Sequence, residues 1–310
     1  MRIAEYILLL LSIPAFAYSF SVQKARPSEL ILPDNSKSLV SSTDSNIKTR
    51  TNIVFPGGGI FFYWKAGVIE YLREKGYNLN DPNVSLTGAS AGALCATLTA
   101  LGISFEKATS VALEKSREAQ VWDRPLGLYG IWGDIVYDWL DDLIPSNDLE
   151  NLEKVNGKVN ILITKFPTLE KEKVDNFTSK EDLIRANMAS VHIPLFMNGK
   201  VITKFRDLPY IDGSFLSQIG DYNNDKSAVI LDWKKDPILR DRTLGDAVQA
   251  SEDGIWDLLE SGRRFAVKME KSGKFRKLDI GVELLNSSQS ISRKAFSPSK
   301  AKLPAVSLLS

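Results

Sequence analysis

The sequence has few of the residues that would support metal, disulfide or nucleic-acid chemistry. Its 310 residues include one cysteine, Cys95, and one histidine, His192. One cysteine excludes an internal disulfide and a cysteine-ligated metal site, and one histidine argues against zinc chemistry. The formal net charge of +1 gives no electrostatic reason to expect a nucleic-acid partner. We therefore expect no metal, no cofactor and no nucleic acid.

The first fifty residues have the composition of targeting and linker segments. Arg2 precedes an apolar run, and Ala15-Phe16-Ala17 offers small residues where a signal peptidase cuts. Residues 1–17 are therefore predicted to be a signal peptide, with a retained anchoring N-terminus as the alternative. Residues 18–51 are Ser-rich without an apolar period and are predicted to be a disordered linker or transit-like segment. The expected location is the secretory route, lumenal or secreted, or a plastid reached through that route, as in some algae.

From residue 52 onward, short apolar strands alternate with glycine-containing turns and amphipathic helices. Strands are predicted at 52–55, 84–87, 159–164 and 228–231, and helices at 62–75, 91–101, 104–118, 179–190 and 244–271, the last interrupted near Gly254. This alternation predicts an α/β domain with a mainly parallel sheet covered by helices. We place that catalytic domain at 52–271 and a mostly loose tail at 272–310.

The segment Gly88-Ala89-Ser90-Ala91-Gly92 has the G-x-S-x-G pattern of a nucleophile elbow. It follows an apolar strand and opens a helix, which is the context that such an elbow requires. A side chain at position 88 or 92 would clash with the adjoining strand and helix. The following helix directs its N-terminal dipole at Ser90 and favours an alkoxide there. Ser90 is therefore the predicted nucleophile, with a purely structural turn as the alternative.

Gly57-Gly58-Gly59 lies at another junction between a strand and a helix. Without Cβ atoms, the backbone N–H groups of such a loop can surround a tetrahedral oxyanion beside a bulky acyl group. A dinucleotide loop does not fit, because the last glycine of G-x-G-x-x-G would fall on Phe62, and no Lys-Ser/Thr pair follows for a P-loop. The three glycines are predicted to form an oxyanion hole, and a structural turn is the other possibility.

Asp212, within an Asp-Gly-Ser sequence, would on its own indicate a common turn. The shortage of histidine changes that interpretation. His192 lies between apolar neighbours just before a proline, where a packed or pocket-lining role is favoured over that of a general base. A carboxylate must then take the Ser90 proton directly, which is feasible for a shielded Asp of raised basicity. Asp212 is the predicted base, and Gly213 is expected to support its loop.

These three motifs, in this order, resemble the patatin-like phospholipase family. Residues 53–59 are similar to the family's oxyanion loop, and residues 88–94 to its elbow. Residues 177–184 are similar to the mid-domain of the triglyceride-lipase-like branch, and residues 189–194 to the segment before the catalytic Asp-Gly. Two positions depart from the pattern: Ile60-Phe61-Phe62 stands where glycine or a basic residue is usual, and Ser214 replaces glycine or alanine.

The resemblance implies a three-layer α/β/α fold, a Ser90–Asp212 dyad, no metal, and hydrolysis of fatty acyl esters in membrane or storage lipids. The partner is then a lipid substrate at a membrane or lipid-droplet surface. A lipid acyltransferase or transacylase using the same dyad, or a catalytically weak lipid-binding protein, is the alternative.

Overall fold

The computed structural model describes residues 51–223, 225, 228–242 and 251–281. Within these residues, seven strands form one sheet in the order β5-β6-β3-β2-β1-β7, and β4 also pairs with β3. The strands are β1 (Thr51–Phe55), β2 (Val84–Ala89), β3 (Val159–Lys165), β4 (Lys171–Val174), β5 (Thr203–Phe205), β6 (Leu208–Ile211) and β7 (Val229–Ile230).

The helices lie around this sheet, and several begin at a side-chain cap. Ser104, Asn147, Ser179 and Ser251 each accept a hydrogen bond from a first-turn N–H, which satisfies a donor that the helix itself leaves free. The described α-helices are α1 (Phe62–Glu74), α2 (Ala91–Ala100), α3 (Phe105–Glu118), α4 (Trp132–Leu143), α5 (Asp148–Val155), α6 (Lys180–Ser190), α7 (Ile219–Tyr222) and α8 (Glu252–Lys271). Short 3₁₀ segments lie at Gly59–Phe61, Trp233–Lys235 and Arg276–Gly281.

The sheet is mixed but mostly parallel in its centre. Strand β1 pairs in parallel with β2 and β7, and β2 pairs in parallel with β3. On the far side of β3, the pairs with β4 and β6 are antiparallel, as is the pair of β5 with β6. The central strands are buried along most of their length, which is what helices on the faces of a parallel sheet produce. The predicted α/β class with a mainly parallel sheet is confirmed.

Alternate side chains of the central strands enter two separate hydrophobic clusters. Ile53 and Phe55 belong to the large core that the helices cover. Val54, between them, packs with Leu162 and Tyr222 in a smaller cluster. Because successive strand residues point to opposite faces, the two clusters lie on opposite sides of the sheet. Both faces of the parallel centre are therefore buried.

Helices α1 and α8 cross at two glycines that allow their backbones to touch. A Cβ built on Gly67 would lie 1.8 Å from the carbonyl oxygen of Leu259, and one built on Gly262 would lie 1.9 Å from that of Trp64. These distances are far below a van der Waals contact, so neither position accepts a side chain at this separation. The Trp64 indole N–H also donates to the Asp236 carboxylate at 3.0 Å, which fixes the start of α1.

The predicted elements agree with most of the observed ones, with three corrections. The described helix α8 begins at Glu252 after the cap Ser251 and runs through Gly254, so the break expected near Gly254 lies at Ser251, and residues 243–250 before it lie outside the described residues. The fourth predicted strand is shorter than expected and spans only Val229–Ile230. Helices α4, α5 and α7 and strands β4, β5 and β6 were not predicted.

The packed chain continues past the predicted domain boundary at residue 271. Phe275 is fully buried and packs against Tyr77, and the Thr51 hydroxyl donates to the carbonyl of Lys277. The predicted signal peptide, most of the linker and residues 282–310 of the tail lie outside the described residues, as do residues 244–250 of the last predicted helix. Those predictions therefore stay predictions. In the described part of the chain, no helix has the length and apolar character needed to cross a membrane.

Gly262→Ala should destabilise the fold by forcing α8 away from α1. The added methyl group would overlap the Trp64 carbonyl, and overpacking of this kind costs about 1–3 kcal/mol. Urea unfolding followed by circular dichroism measures the loss. Asp257→Ala, at an exposed position of the same helix, is the matched control and should change stability by no more than about 0.5 kcal/mol. Equal stability of the two variants would contradict the tight crossing.

Candidate active site

Ser90 occupies a strained turn between β2 and α2. Its backbone has φ 53° and ψ −132°, a positive φ that non-glycine residues rarely adopt. A Cβ on Gly88 would lie 2.1 Å from the carbonyl oxygen of Gly92, and a Cβ on Gly92 would lie 1.9 Å from that of Phe55. Both glycines are thus required by backbone contacts, as the sequence analysis anticipated. The turn sets Ser90 at the N-terminus of α2.

Ser190, the last residue of α6, holds the turn in place. Its hydroxyl accepts a hydrogen bond from the Ser90 N–H at 2.8 Å and donates to the carbonyl of Leu162 at 2.7 Å. Its own carbonyl accepts from the Gly213 N–H at 2.9 Å. Ser190 is fully buried, so both hydroxyl bonds are shielded from water. One side chain and its backbone therefore connect the serine turn, strand β3 and the loop that carries Asp212.

The three-glycine loop lies between the Ser90 turn and the segment that follows Asp212. A Cβ on Gly57 would lie 2.5 Å from the Ser214 side chain and 3.4 Å from the Ser90 Cβ. Gly58 has φ 152° and Gly59 has φ 53°, so both need the freedom of glycine. The loop is packed from the outside by Trp233, which stacks on Phe61 with ring centroids 3.9 Å apart.

Asp212 is buried beside the serine turn and begins the loop after β6. Its Oδ1 accepts hydrogen bonds from the Ser214 N–H at 2.7 Å and from the Ser214 hydroxyl at 2.6 Å. Its Oδ2 is buried and forms no hydrogen bond with acceptable geometry among the described residues. The Ser90 hydroxyl is nevertheless near enough to lower the pKa of Asp212. Burial outweighs these contacts and raises the pKa of Asp212. The carboxyl group is therefore more basic than an ordinary aspartate.

The His192 ring is buried and contacts a backbone carbonyl. Its Nε2 lies 3.2 Å from the carbonyl oxygen of Lys200, while its backbone carbonyl accepts from the Asp212 N–H at 2.8 Å. Burial lowers the pKa of His192, against the hydrogen bond to the Lys200 carbonyl, which raises it. The packed position agrees with the expectation from the sequence.

An apolar cavity of about 40 Å³ opens beside Ser90. A cavity of this volume has room for about three water molecules, so it is a narrow apolar recess beside the hydroxyl. Its lining comes from the glycine loop, the start of α2, helix α4 and the segment after α6: Gly59, Ser90, Ala91, Leu94, Trp132, Val136, Val191, Ile193 and Met197.

Several residues of this region were missed by the sequence analysis. Tyr222 lies against the glycine loop: burial raises its pKa to about 12, against contacts of its hydroxyl with the Ser217 hydroxyl and the Gly57 N–H, which lower it. Lys65 is fully buried, with its Nζ 3.5 Å from where a Gly58 Cβ would lie and without a hydrogen-bond partner among the described residues. Ser190 and Lys171 are the others. Lys65 was the only one of these four residues that sequence could have indicated, because a lysine within the apolar stripe of α1 is unusual. Tyr222, Ser190 and Lys171 are placed at the site by tertiary contacts.

The described residues contain no arrangement of side chains suited to bind a metal ion. No group of three or more His, Cys, Asp or Glu side chains there is placed to hold a metal ion. Cys95 is buried, and burial raises the pKa of its thiol to about 12, against the charge of Lys65, which lowers it. The thiol is therefore protonated at neutral pH.

The strand–turn–helix geometry around Ser90 places the chain among α/β proteins with a nucleophile elbow. A family model described as patatin-like phospholipase matches residues 53–220, more than half of the chain. The chain belongs to the patatin-like phospholipase family. The matched segment contains the glycine loop, the serine turn and Asp212, and members of this family are lipid hydrolases or acyltransferases.

Three mouse proteins illustrate the similarity. Patatin-like phospholipase domain-containing protein 2 is 31% identical over 166 residues, which are 54% of this chain and 34% of that protein. Omega-hydroxyceramide transacylase is 29% identical over 170 residues, 54% of this chain and 28% of the relative. 1-Acylglycerol-3-phosphate O-acyltransferase Pnpla3 is 28% identical over 167 residues, 53% and 39% of the two chains. The chain thus spans about a third of the length of these relatives.

Asp212→Asn should make the folded protein more stable relative to wild type as the pH rises. In the unfolded chain an aspartate has a pKa of about 3.9. In the folded protein, burial holds the pKa of Asp212 above that value. Between the two pKa values the unfolded chain binds fewer protons, so wild-type stability falls as pH increases. Asparagine has no such ionisation. Urea unfolding of both proteins from pH 4 to pH 8 measures the difference, and a difference that is constant or reversed across this range would contradict a buried carboxylate.

Proposed function

We propose that this protein is a serine hydrolase that cleaves fatty acyl esters of membrane or storage lipids through a Ser90–Asp212 dyad. The observation that carries the proposal is the pairing of a strained, buried serine with a buried carboxylate whose pKa is raised. The His192 ring contacts the Lys200 carbonyl, so the carboxylate is the better candidate for the base. Membership of a family of lipid hydrolases and acyltransferases supports the substrate class.

In the first half-reaction, the Ser90 Oγ attacks the acyl carbonyl carbon and its proton moves to the Oδ2 of Asp212. Burial favours this transfer, because it makes the neutral carboxylic acid easier to form than at a solvated aspartate. Ser214 occupies Oδ1 with two hydrogen bonds, so Oδ2, which has no partner among the described residues, is the oxygen available to accept the Ser90 proton. Collapse of the tetrahedral intermediate returns the proton to the leaving alcohol and leaves an acyl-serine.

The oxyanion donors are assigned to Gly58 and Gly59 in preference to Gly57. The N–H of Gly57 is near enough to the Tyr222 hydroxyl to lower the pKa of that tyrosine, whereas Gly58 and Gly59 have positive φ angles and belong to a different backbone conformation. Gly59 lines the cavity together with Ser90, so a donor there lies on the side where the acyl group would enter. The N-terminus of α2 adds the favourable end of a helix dipole at the same place.

In the second half-reaction, Asp212 takes a proton from water and the resulting hydroxide attacks the acyl-serine. The proton returns to the Ser90 Oγ as the fatty acid leaves, so the dyad is regenerated without a metal or cofactor. If a lipid alcohol enters in place of water, the same acyl-serine gives acyl transfer. Two of the relatives named above carry transacylase or acyltransferase names, which keeps transfer as the second candidate function.

We also propose that the protein meets its substrate at a lipid surface. Leu216 and Ile219, both largely exposed, follow the Asp212 loop within a few residues, and Leu216 is held at φ 55°. Apolar side chains that stand out beside an active site are suited to contact with acyl chains or a lipid surface. The location predicted from the leader segment, in the secretory route or a plastid reached through it, remains part of this proposal.

Ser90→Ala should abolish labelling by a fluorophosphonate probe and reduce ester hydrolysis by at least about 10⁴-fold. Asp212→Asn should reduce kcat by about 10²- to 10⁴-fold, because it removes the proton acceptor. In the wild type, kcat/KM should fall as the pH falls through the raised pKa of Asp212, above the ordinary value of about 3.9. Probe labelling and hydrolysis of a soluble p-nitrophenyl ester, measured from pH 4 to 9, provide the data.

Four results discriminate between the candidate functions. Undiminished hydrolysis by Asp212→Asn would contradict the proposed dyad. If His192→Gln loses as much activity as Asp212→Asn, the site contains a catalytic triad instead. Absence of probe labelling in the wild type would favour a lipid-binding protein. Analysis of products formed with a lysolipid acceptor separates hydrolysis from acyl transfer, because transfer yields an acylated acceptor and little free fatty acid.

Trp132→Ala should shift the substrate preference toward longer acyl chains. Trp132 lines the cavity beside Ser90 and packs edge-on against Phe196, so its removal deepens the cavity. An apolar pocket can favour one acyl chain length over another by about 10-fold or more in kcat/KM. We therefore expect a change of about that size in the ratio of kcat/KM for C16 and C8 esters. Trp256→Ala, an exposed tryptophan on α8, is the matched control. An unchanged ratio would exclude the cavity as the acyl site.

A further inference from the structure

Lys171 makes three hydrogen bonds that converge behind the Asp212 loop. It begins β4, where it pairs with Thr164 of β3 in antiparallel register. Its Nζ donates to the Thr164 hydroxyl at 2.8 Å, to the carbonyl of Gly213 at 3.3 Å and to the carbonyl of Phe215. An ammonium group has three donors and no acceptor, so its capacity is fully used. Through the carbonyls of Gly213 and Phe215, the ammonium group therefore attaches the segment after Asp212 to the sheet.

A second connection runs through the hydroxyl of Thr164. While its oxygen accepts from Lys171, its proton is donated to the carbonyl of Asp212 at 2.8 Å. Thr164 is fully buried, so this contact is shielded from solvent. The backbone of Asp212 is held from Thr164, and the following turn is held from Lys171. Rotation of this segment would break bonds to both residues.

The charge of Lys171 also reaches the carboxylate. Burial lowers the pKa of Lys171, while the charges of Asp221 and Asp212 raise it. In return, the charge of Lys171 lowers the pKa of Asp212, against the larger effect of burial. The other groups that face Asp212 are the hydroxyls of Ser90 and Ser214 and the phenol of Tyr222, whose pKa of about 12 keeps it neutral.

We infer that Lys171 is a positioning residue for the Asp212 base, which fixes the direction of the carboxylate and keeps a positive charge beside it. This inference rests on the proposed Ser90–Asp212 dyad. Lys171 would touch neither the substrate nor the reacting atoms, and it acts through the loop that it binds. A base that must meet a serine proton at hydrogen-bond distance is sensitive to small displacements, since a shift of about 1 Å can cost about 10²-fold in rate.

Lys171→Met tests the inference, because methionine keeps an unbranched side chain that is one atom shorter and removes both the charge and the hydrogen-bond donors. We expect kcat per active site to fall by about 10- to 100-fold with a smaller change in KM. The acid limb of the kcat/KM profile should move to higher pH, because the charge that lowered the pKa of Asp212 is gone. Fluorophosphonate titration supplies the active-site concentration, so a loss of folded protein is not counted as a loss of kcat.

Two further variants separate charge from geometry. Lys171→Arg keeps the charge but replaces three convergent donors by a planar fork, so its acid limb should stay at the wild-type position while kcat remains reduced. Lys173→Met, at an exposed position of the same strand, is the matched control and should leave both quantities unchanged. An unmoved acid limb and unchanged kcat in Lys171→Met would overturn the inference.

If Lys171→Met does not fold, Thr164→Val and Lys171→Arg carry the test. Valine keeps the shape of threonine but removes the hydroxyl between Lys171 and the Asp212 carbonyl. A reduced kcat in both variants, with the acid limb unmoved, supports positioning, whereas full kcat in both overturns it. The wild-type and Asp212→Asn profiles are measured first. If wild-type hydrolysis does not depend on Asp212, the proposed function itself fails, and that result is distinct from failure of the Lys171 variants.

Discussion

The close packing of α2 against β1 and β2 is the constraint on which the candidate site depends. Gly92 lies so near the carbonyl of Phe55, and Gly88 so near that of Gly92, that neither position has room for a methyl group. This contact brings the end of β2 and the start of α2 together within one residue. Ser90 is that residue, and its positive φ is the conformational cost of the turn. The strain is maintained because the parallel strands on either side are buried and cannot readily shift.

Asp212 reaches the same edge of the sheet by a different route. Strand β3 runs parallel to β2, so its C-terminal end lies beside the serine turn. Strand β6 pairs with that end in the opposite direction, with Ile211 opposite Thr164. The residue after Ile211 therefore emerges next to the end of β3. Ser190 then joins the two parts, since it bonds the Ser90 N–H, the Leu162 carbonyl and the Gly213 N–H.

The parts of the fold that were predictable from sequence are those in which a local pattern has one physical cause. Glycines at 88 and 92 could be explained by close backbone contact before any coordinates, and buried parallel strands appear as apolar runs. Strands β4, β5 and β6 have three or four residues each, include several charges and lack a clear alternation. Strand β6 forms by a long-range pairing with β3, while β4 and β5 pair in antiparallel register with their chain neighbours β3 and β6. Lys171 and Ser190 acquire their roles from the same contacts, and so sequence alone presents them as ordinary polar residues.

In the dyad that we propose, the absence of a histidine places two opposing requirements on Asp212. The carboxylate must be basic enough to accept a proton from a hydroxyl, and burial supplies this by raising its pKa. It must also remain ionised at neutral pH, which complete isolation from charge and hydrogen bonds would oppose. Ser214 and the charge of Lys171 act in that second direction. The basicity of Asp212 is therefore set by a balance between removal from water and a few fixed polar groups, and both sides of this balance are provided by the loop after β6 and its attachment to β3 and β4.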